Sequence, residues 1–442
     1  MRGENKMKKL TGLFLSLIAL FTLVACTPAL AEDIVDFSES QEKVTTITVW
    51  LDDSEGLFMA ELIPAFNAAY PNIEVNFQHM GALDSRDRLK TYGVSGNGAD
   101  VFMFPHDHLS LAILEDLVYP LPNELFESLD TEILDVAMDI ATAGTRNTDN
   151  PVLYAVPISI ESVFIMYNKS MITDAEVANL TSWQDIIDYS ATYATANPGK
   201  QLLTTNSHWA DNYFLQSIYS AFGWRPHGVD GTDPTQVGFV SDNLTNALTW
   251  LTTELKPVVT GNNSYNSVST TYFEQETAAM IITGPWAITG FQEKLDPDNE
   301  GLLGAMVMPT FEDTPEATNS PSTFAGSQMV AVYKYSQNKE AAIAFVEFLA
   351  SVEAQNILYQ TSNDCPALKD LSGIDGIADD VFMQVMIQQL QTSIPMPTIA
   401  EVTYYWSAAE TMVRNIWDQS ADIETEQIKA EASYAASKAL GS

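Results

Sequence analysis

Apolar and polar positions follow two different periods once the chain passes residue 44. Residues 45–51, TTITVWL, and residues 73–78 alternate side chain by side chain, as strands do, whereas residues 57–70 carry apolar side chains at helical spacing. Pro71 follows, and proline cannot continue a helix, so we expect the helix to end there. The pattern predicts a strand, a helix and a second strand in that order.

The same two periods recur along the rest of the chain. Strands that alternate with helices predict a mostly parallel sheet covered on both faces, with ligands at the carboxyl ends of its strands. Because the folded part exceeds what one core usually supports, we expect two domains. Further strands are predicted over 101–104, 154–168, 278–283 and 304–309, and further helices over 84–94, from 109, and over 182–194, 213–222, 242–254, 339–351, 379–390 and 407–440.

The first 25 residues have the build of a secretory signal peptide. A lysine-rich start precedes an apolar run over 10–25, which is too short for a comfortable membrane span. Residues 23–26, LVAC, resemble a bacterial lipobox, in which Cys26 is acylated and becomes the mature N-terminus. Residues 29–31, ALA, offer ordinary cleavage as the alternative, which would leave a soluble secreted or periplasmic protein.

Residues 26–43 are polar, acidic and without periodicity, which predicts a flexible tether between the lipidated Cys26 and the folded part. With this anchor, the protein is expected on the outer face of the cytoplasmic membrane as a lipoprotein.

Charge and cysteine content narrow the possible partners. The chain has 58 acidic and 20 basic residues, a net charge of −38, and the part after residue 25 keeps 57 and 16, a net charge of −41. A surface of that sign repels nucleic acid and anionic lipid, so any membrane attachment depends on Cys26. Cys365 is the one other cysteine, so disulfides do not hold the fold together, and a buried thiol is expected there.

Sequence motifs for catalysis or metal binding are weak. The chain has no G-x-S-x-G elbow, P-loop or H-E-x-x-H. His106 and His108 flank Asp107, but a metal needs further ligands and only three other histidines exist, so no metal or cofactor is predicted. A glycosidase needs only two carboxylates. Because this chain has 58 acidic residues, that requirement excludes nothing.

Aromatic side chains recur beside acidic ones where predicted elements end. Aromatic faces suit the C–H faces of a sugar ring, and carboxylates accept its hydroxyls. One aromatic alone is more often a core residue, so it is the recurrence that favours a sugar site. The candidates are Trp50 with Asp52, Phe104 with Asp107 and His108, Glu161, Asp211 with Tyr213, Trp286, and Trp406 with Glu410 one turn later.

Six motifs together resemble the extracellular solute-binding proteins of ABC sugar importers, above all the maltose and maltodextrin binders. The match covers nearly the whole chain after the tether, with the motifs in family order. They are WLD from Trp50, FPHDHLS from Phe104, YAVPISIESVFIMYNKSM from Tyr154, ETAAMIITGPWAI from Glu276, MVMPTF from Met306 and MPTIAEVTYYWSA from Met396.

The resemblance implies an α/β type II periplasmic-binding-protein fold, in which two lobes are joined by crossing hinge segments and enclose a ligand cleft. The crossings would fall near 158–162, 308–311 and 373–380. The N-terminal lobe would take residues 44–158 and 310–372, and the C-terminal lobe residues 162–308 and 380–442.

The resemblance also implies roles for the candidate residues. Trp50, Phe104, Trp286 and Trp406 would stack on sugar together with Tyr213, and Asp52, Asp107, Glu161 and Asp211 would accept its hydroxyls. Without the family match, a surface acid or a helix cap would be the simpler interpretation of each carboxylate.

Three positions depart from the maltodextrin binders, which commonly present basic side chains there. This chain has Glu55, His108 and Glu410 at those positions, so the cleft is expected to be more anionic and His108 to be a pH-sensitive contact. The alternative is that these positions lie at the rim and contribute little.

The hypothesis from sequence is a monomeric, non-enzymatic binding protein that captures a maltodextrin-like oligosaccharide and delivers it to the permease of an ABC importer. The same cleft would also suit a polyamine. A secreted glycoside hydrolase using Asp107 and Glu161 is a third possibility. A purely structural surface lipoprotein would leave the aromatic residues unexplained.

Overall fold

The computed structural model describes residues 44–205, 212–228, 231–259 and 266–441. The predicted signal peptide, Cys26 and the 26–43 tether lie outside these ranges. The described strands form two main sheets and one two-stranded sheet. They are β1 Thr45–Leu51, β2 Ile73–His79, β3 Val101–Pro105, β4 Val156–Pro157, β5 Phe164–Asn168, β6 Gln201–Thr204, β7 Ala278–Thr283, β8 Leu303–Met306, β9 Phe324–Ala325, β10 Gln328–Val332 and β11 Ile394–Pro395.

Helices occupy most of the connections between strands, and local signals set several of their starts. Ser182 and Asp185 form a capping box at the start of α7, and Asp380 caps α14. The helices are α1 Leu57–Ala69, α2 Ala82–Tyr92, α3 Leu109–Leu114, α4 Asn123–Glu132, α5 Asp135–Ala141, α6 Asp174–Val177, α7 Trp183–Ala196, α8 Asn212–Ala221, α9 Asp242–Trp250, α10 Asn266–Glu274, α11 Ile288–Leu295, α12 Lys339–Leu349, α13 Val352–Ser362, α14 Val381–Leu390, α15 Tyr405–Gln419 and α16 Ile423–Gly441.

The first sheet has the order β2-β1-β3-β10-β4. Its strand β1 runs parallel to both neighbours and buries Ile47, Val49 and Leu51, the alternate residues of the sequence pattern. Helices α1 and α12 pack together through Phe66 and Phe345, whose rings meet edge to face at 5.0 Å. The β-α-β opening predicted from sequence is confirmed.

The second sheet has the order β6-β7-β5-β8, and its strand β5 is buried on both faces. Phe164 and Met166 pack into one hydrophobic core, which also holds the first sheet, while Ile165 and Tyr167 pack into a second core. The period-two alternation of a strand therefore divides its side chains between the two cores.

Most strands of each main sheet point the same way, as predicted, but each of these sheets also contains one strand that runs against the others. Strand β10 is antiparallel to β3 and β4, and β5 is antiparallel to β7 and β8. Both strands enter their sheet after the chain has left the other sheet. No helix crossover within one sheet then imposes a parallel direction on them.

Two predicted elements are each divided in the structure. Residues 154–168 form two strands, β4 and β5, which belong to different sheets. The predicted helix 407–440 is two helices, α15 and α16, which are separated at Ser420, where the backbone is left-handed with a φ of 50°. Period alone does not reveal such breaks, since the apolar pattern continues on both sides of them.

A buried hydrogen-bond network joins the segments that pass between the sheets. The Ser162 Oγ lies 2.7 Å from the Thr323 Oγ1 and donates to the Phe324 carbonyl at 2.8 Å. The Thr323 Oγ1 also lies 2.7 Å from the Ser393 Oγ. Gln389 accepts from the Met308 backbone N–H at 2.8 Å and donates to Thr323 at 3.3 Å. These crossing segments are therefore held together by polar groups that are buried, apart from the partly exposed Ser393.

Among the residues described, no single helix is long and apolar enough to cross a membrane, and the bent pair α12 and α13 meets that test by length and composition only.

Replacing Thr323 by Val is expected to lower the free energy of unfolding by about 1–3 kcal/mol. The change leaves the buried hydroxyl of Ser162, the partly buried hydroxyl of Ser393 and the buried amide of Gln389 each short of one partner, and such groups cost about that much. Urea denaturation measures the loss. Thr195→Val, on the exposed face of α7, is the matched control and should change stability by less than about 0.5 kcal/mol. Equal effects at both positions would contradict a structural role for the network.

Candidate functional site

Carboxyl groups from four separate segments interact where the chain passes between the sheets. Asp52 follows β1, Asp107 follows β3, Glu161 lies between β4 and β5, and Asp364 follows α13. The charges of Asp364 and Asp107 both raise the pKa of Glu161, and the charge of Asp52 raises that of Asp364. The structure thus brings together three of the predicted carboxylates and adds Asp364.

Glu161 is held at the centre of this group. Its backbone N–H donates to the Gly326 carbonyl at 3.0 Å, and the Gly326 N–H donates back at 2.7 Å. A Cβ at position 326 would lie 3.0 Å from the Glu161 Cγ and 3.2 Å from the Tyr213 hydroxyl oxygen, so only glycine allows this approach without displacing a neighbour. Burial, followed by the charges of Asp364 and Asp107, raises the pKa of Glu161 to about 8, although hydrogen bonds from Tyr213 and Gln328 oppose the shift.

Asp364 is the functional candidate that the sequence did not reveal. Burial raises its pKa to about 6, the Asp52 charge adds to this, and the Ser362 hydroxyl, which donates to it at 2.9 Å, acts in the opposite direction. No aromatic residue precedes it in the sequence SNDC, so the pattern that identified the other sites was absent.

A hydrogen bond joins the two halves of the molecule across the carboxyl cluster. The Trp406 indole N–H donates to the Asp107 carboxylate at 3.0 Å. Trp406 lies on α15, which packs into the second core, whereas Asp107 follows a strand of the first sheet. The hydroxyl of Ser110 also donates to the backbone carbonyl of Thr398. Asp107 and Trp406, which were both predicted to line the cleft, are therefore bonded to each other.

An open aromatic surface lies beside the cluster. The rings of Tyr213 and Trp286 are 6.2 Å apart, and Phe214 supports Trp286 from its edge at 6.1 Å. Trp286 is 40% exposed. A Cβ at Gly284 would come within 2.1 Å of the Trp286 ring, so the indole can pack against the backbone at position 284 only because that residue is glycine. Trp286 and Tyr213 together present an apolar face next to Glu161.

Two of the predicted stacking residues are core residues in the structure. Trp50 is 2% exposed, donates its indole N–H to the Gln78 side chain at 3.0 Å and meets the Tyr92 ring edge to face. Phe104 is fully buried against Phe102. The expected stacking role of Trp50 and Phe104 is therefore not supported, because neither ring has a face free for a ligand.

The positions expected to make the cleft more acidic differ in their surroundings. Glu410 forms an ion pair with Arg414 on the same helix, which offsets its charge, and Glu55 is exposed. Burial lowers the pKa of His108, with Asp107 acting in the opposite direction and Arg86 adding to the decrease. Burial thus favours the neutral form of His108. Asp211 lies outside the described residues.

The buried histidine and cysteine nearby are structural. His106 accepts the Ser327 backbone N–H at 3.1 Å, and burial lowers its pKa. Cys365 is buried, as predicted, and burial raises the pKa of its thiol to about 12. In the part of the chain that the structure covers, no group of three or more His, Cys, Asp or Glu side chains is arranged to hold a metal ion.

Comparison with known proteins identifies the family. The model of the bacterial extracellular solute-binding protein family matches residues 52–356, more than half of the chain. The maltooligosaccharide ABC transporter solute-binding lipoprotein of Streptococcus pneumoniae serotype 4 is 25% identical over 428 residues, which is 95% of this chain and 94% of that protein. The galactooligosaccharide-binding protein of Bacillus subtilis is 25% identical over 447 residues, covering 96% and 99%.

Solved structures establish the fold. MalX from Streptococcus pneumoniae, in complex with maltopentaose, superposes with a TM-score of 0.74 at 22% identity and covers 88% of this chain and 100% of that one. A cyclo/maltodextrin-binding protein complexed with maltotetraose gives 0.72 at 21% identity, covering 90% and 98%. The predicted type II periplasmic-binding-protein fold, with two α/β lobes and a cleft between them, is confirmed. The chain belongs to the family of bacterial extracellular solute-binding proteins.

Proposed function

We propose that the protein is the solute-binding component of an ABC importer and captures a maltodextrin-like oligosaccharide, which it delivers unchanged to the permease. The observation that carries this is the partly exposed Trp286 and Tyr213 surface directly beside the carboxyl groups of Glu161, Asp107 and Asp364. An aromatic face covers the C–H groups of a sugar ring, while carboxyl groups hydrogen-bond its hydroxyls. Relatives named for maltooligosaccharides and for galactooligosaccharides match at similar identity, so both sugars belong in the test.

The lobes would close on the ligand about the crossing segments. We assign residues 44–158 and 310–372 to the N-terminal lobe and residues 162–308 and 380–442 to the C-terminal lobe. Asp107 would then lie in one lobe and Trp406 in the other, so a sugar that contacts both favours the closed arrangement. A permease would recognise that arrangement of a single, monomeric binding protein.

Adding an oligosaccharide is expected to change the intrinsic tryptophan fluorescence and to raise the melting temperature, since a ligand that binds only the folded state stabilises it. Titration uses maltotriose, maltotetraose, maltopentaose and galactooligosaccharides. Trp286→Ala should weaken binding at least tenfold, because a hydrophobic contact of that size is lost. Tyr335→Ala, which removes an exposed aromatic ring packed against Tyr333, is the matched control.

Two results would contradict the proposal. One is the absence of any response to oligosaccharides at millimolar concentration, with Trp286→Ala indistinguishable from the wild type. The other is the detection of a shortened sugar by chromatography after incubation, which would indicate a glycoside hydrolase.

The hydrolase alternative has a physical basis. The raised pKa of Glu161, close to the carboxylate of Asp107, also suits a general acid.

A cationic ligand such as a polyamine is the second candidate for this cleft. Among the described residues, Asp52, Asp107, Glu161 and Asp364 form no ion pair with a Lys or Arg side chain; Asp52 lies 3.8 Å from the His79 ring and accepts a hydrogen bond from the Ala82 backbone N–H at 3.0 Å. Four such carboxyl groups beside an aromatic surface suit an amine.

Spermidine is expected to compete poorly with maltotriose. An excess of 1 mM spermidine should leave the maltotriose titration unchanged at 0.15 M salt, since a neutral sugar needs no charge pairing. Displacement of maltotriose by micromolar spermidine would make the polyamine the preferred ligand.

We also propose that a lipid on Cys26 anchors the protein at the outer face of the cytoplasmic membrane, near the permease. The support is the LVAC sequence after an apolar run and the relatives that are named lipoproteins.

Mass spectrometry of the mature protein from a bacterial host is expected to find acylated Cys26 as the first residue. Cys26→Ala should release the protein into the soluble fraction while sugar binding continues. A mature chain that begins at Glu32 would contradict the anchor and leave the sugar proposal intact.

A further inference from the structure

We propose that Ser110 is a positioning residue for ligand capture, because its bond to the Thr398 backbone holds the Asp107 side of the cleft against the Trp406 side. The inference rests on the proposed sugar-binding function for its ligand. Ser110 is not among the residues expected to contact the sugar, so its effect on affinity is the same for every ligand that contacts both sides of the cleft.

Two hydrogen bonds connect residues 107–110 with residues 398–406. The Trp406 indole N–H donates to the Asp107 Oδ2 at 3.0 Å, and the Ser110 hydroxyl donates to the Thr398 carbonyl. We call these two the cross-cleft bonds. Helix α3, which contains Ser110, also packs against residues 400–404. The first bond uses side chains assigned to the sugar, whereas the second uses groups that have no such role.

The Ser110 end of the cross-cleft bonds is fixed to the first hydrophobic core. Leu109 and Ala112, on either side of Ser110 in α3, are fully buried in that core. The His106 backbone N–H donates to the Ser327 carbonyl at 3.0 Å, and the Ser327 N–H donates to the His106 ring at 3.1 Å. Ser110 is therefore held by its own half of the molecule.

The opposite end is fixed to the second hydrophobic core. Val402 and Tyr405 are buried there, and the Tyr405 ring stacks on Phe239 at 5.3 Å with the two planes 7° apart. Glu401 forms an ion pair with Lys438 of α16 at 3.4 Å. The two ends thus belong to different cores, so a movement that separates the cores at this point breaks both cross-cleft bonds.

Bonds that hold the two sides of the cleft together raise affinity without touching the ligand. They increase the fraction of molecules able to bind, and the apparent affinity follows that fraction. One hydrogen bond changes such a balance by about three- to tenfold. Changing Asp107 or Trp406 would also remove a proposed sugar contact, whereas changing Ser110 removes only a cross-cleft bond. Ser110 therefore separates the two effects.

The first experiment measures the affinities of the full mature chain for maltotriose and maltopentaose. In Ser110→Ala both dissociation constants are expected to rise by the same factor, about three- to tenfold, because the sugar contacts remain. The loss should appear as faster dissociation in stopped-flow fluorescence. Ser110→Thr keeps the hydroxyl and should restore the affinity. The matched control Ser128→Ala, on the exposed face of α4, should change neither dissociation constant.

The second experiment needs no ligand. Nitrogen-15 NMR of the full mature chain resolves its tryptophan indoles, and Trp406→Phe identifies the Trp406 signal. Exchange of the Trp406 indole proton with water is expected to be about three- to tenfold faster in Ser110→Ala, because the lost bond makes separation of Trp406 from Asp107 easier. Ser128→Ala should leave the exchange rate unchanged.

The remaining outcomes each decide a separate claim. Unequal losses for the two sugars would show that Ser110 contacts the ligand and would overturn its positioning role. Unchanged affinity in Ser110→Ala, a loss that Ser110→Thr does not restore, or an unchanged indole exchange rate would overturn it as well. If no sugar binds while the indole exchange becomes faster in Ser110→Ala, the proposed function fails and the role of Ser110 in joining the two sides is supported.

Discussion

The rest of this structure depends on one constraint. Where the polypeptide passes between two sheets, its backbone N–H and carbonyl groups are buried and need hydrogen-bond partners. At that point the backbone leaves one ladder of hydrogen bonds before it enters another, so its polar groups need other partners. Ser162, Thr323, Ser393 and Gln389 supply them, and the paired backbone of Glu161 and Gly326 continues the same arrangement. The carboxyl cluster is built directly on this connection.

Building the cluster there has an energetic cost. Acidic groups that lie close together without a cation, three of them at least partly buried, are less favourable than apolar residues of similar size would be, and such arrangements persist mainly at functional sites. The surrounding structure makes the arrangement possible, since β5 on one side of Glu161 contributes to two hydrophobic cores. The packed sheets and helices stabilise the fold, and the carboxyl cluster lowers that stability.

Sequence analysis predicted individual elements better than their directions. The predicted and observed bounds of the strand at residues 278–283 are the same, because Glu276 and Gly284 mark the two ends of its apolar run. The antiparallel entry of β5 and β10 was not predictable from period, since direction depends on where the chain comes from. The break at Ser420 was missed because a left-handed serine has no strong sequence signal.

The same reasoning located part of the site. Trp406 donates a hydrogen bond to Asp107, the charge of Asp107 acts on Glu161, and Trp286 packs beside Tyr213, so these predicted residues lie near one another although they come from both sheets and from helix α15. Trp50 and Phe104 satisfied the same pattern, but they point into the core, and an aromatic residue at a strand end gives no indication of which way its ring turns. Asp364 had no sequence signal because its role comes from the distant residues that surround it.

The bond between the Trp406 indole and Asp107 affects how this cleft can discriminate among ligands. Each group already satisfies the other at 3.0 Å, so a ligand that uses either must exchange one hydrogen bond for another, with little net gain in free energy. Tight binding then cannot arise from these two polar groups. In the proposed site, selectivity would then depend on shape and on contact with the indole of Trp286, and solutes that match the polar groups but lack a flat apolar face would bind weakly.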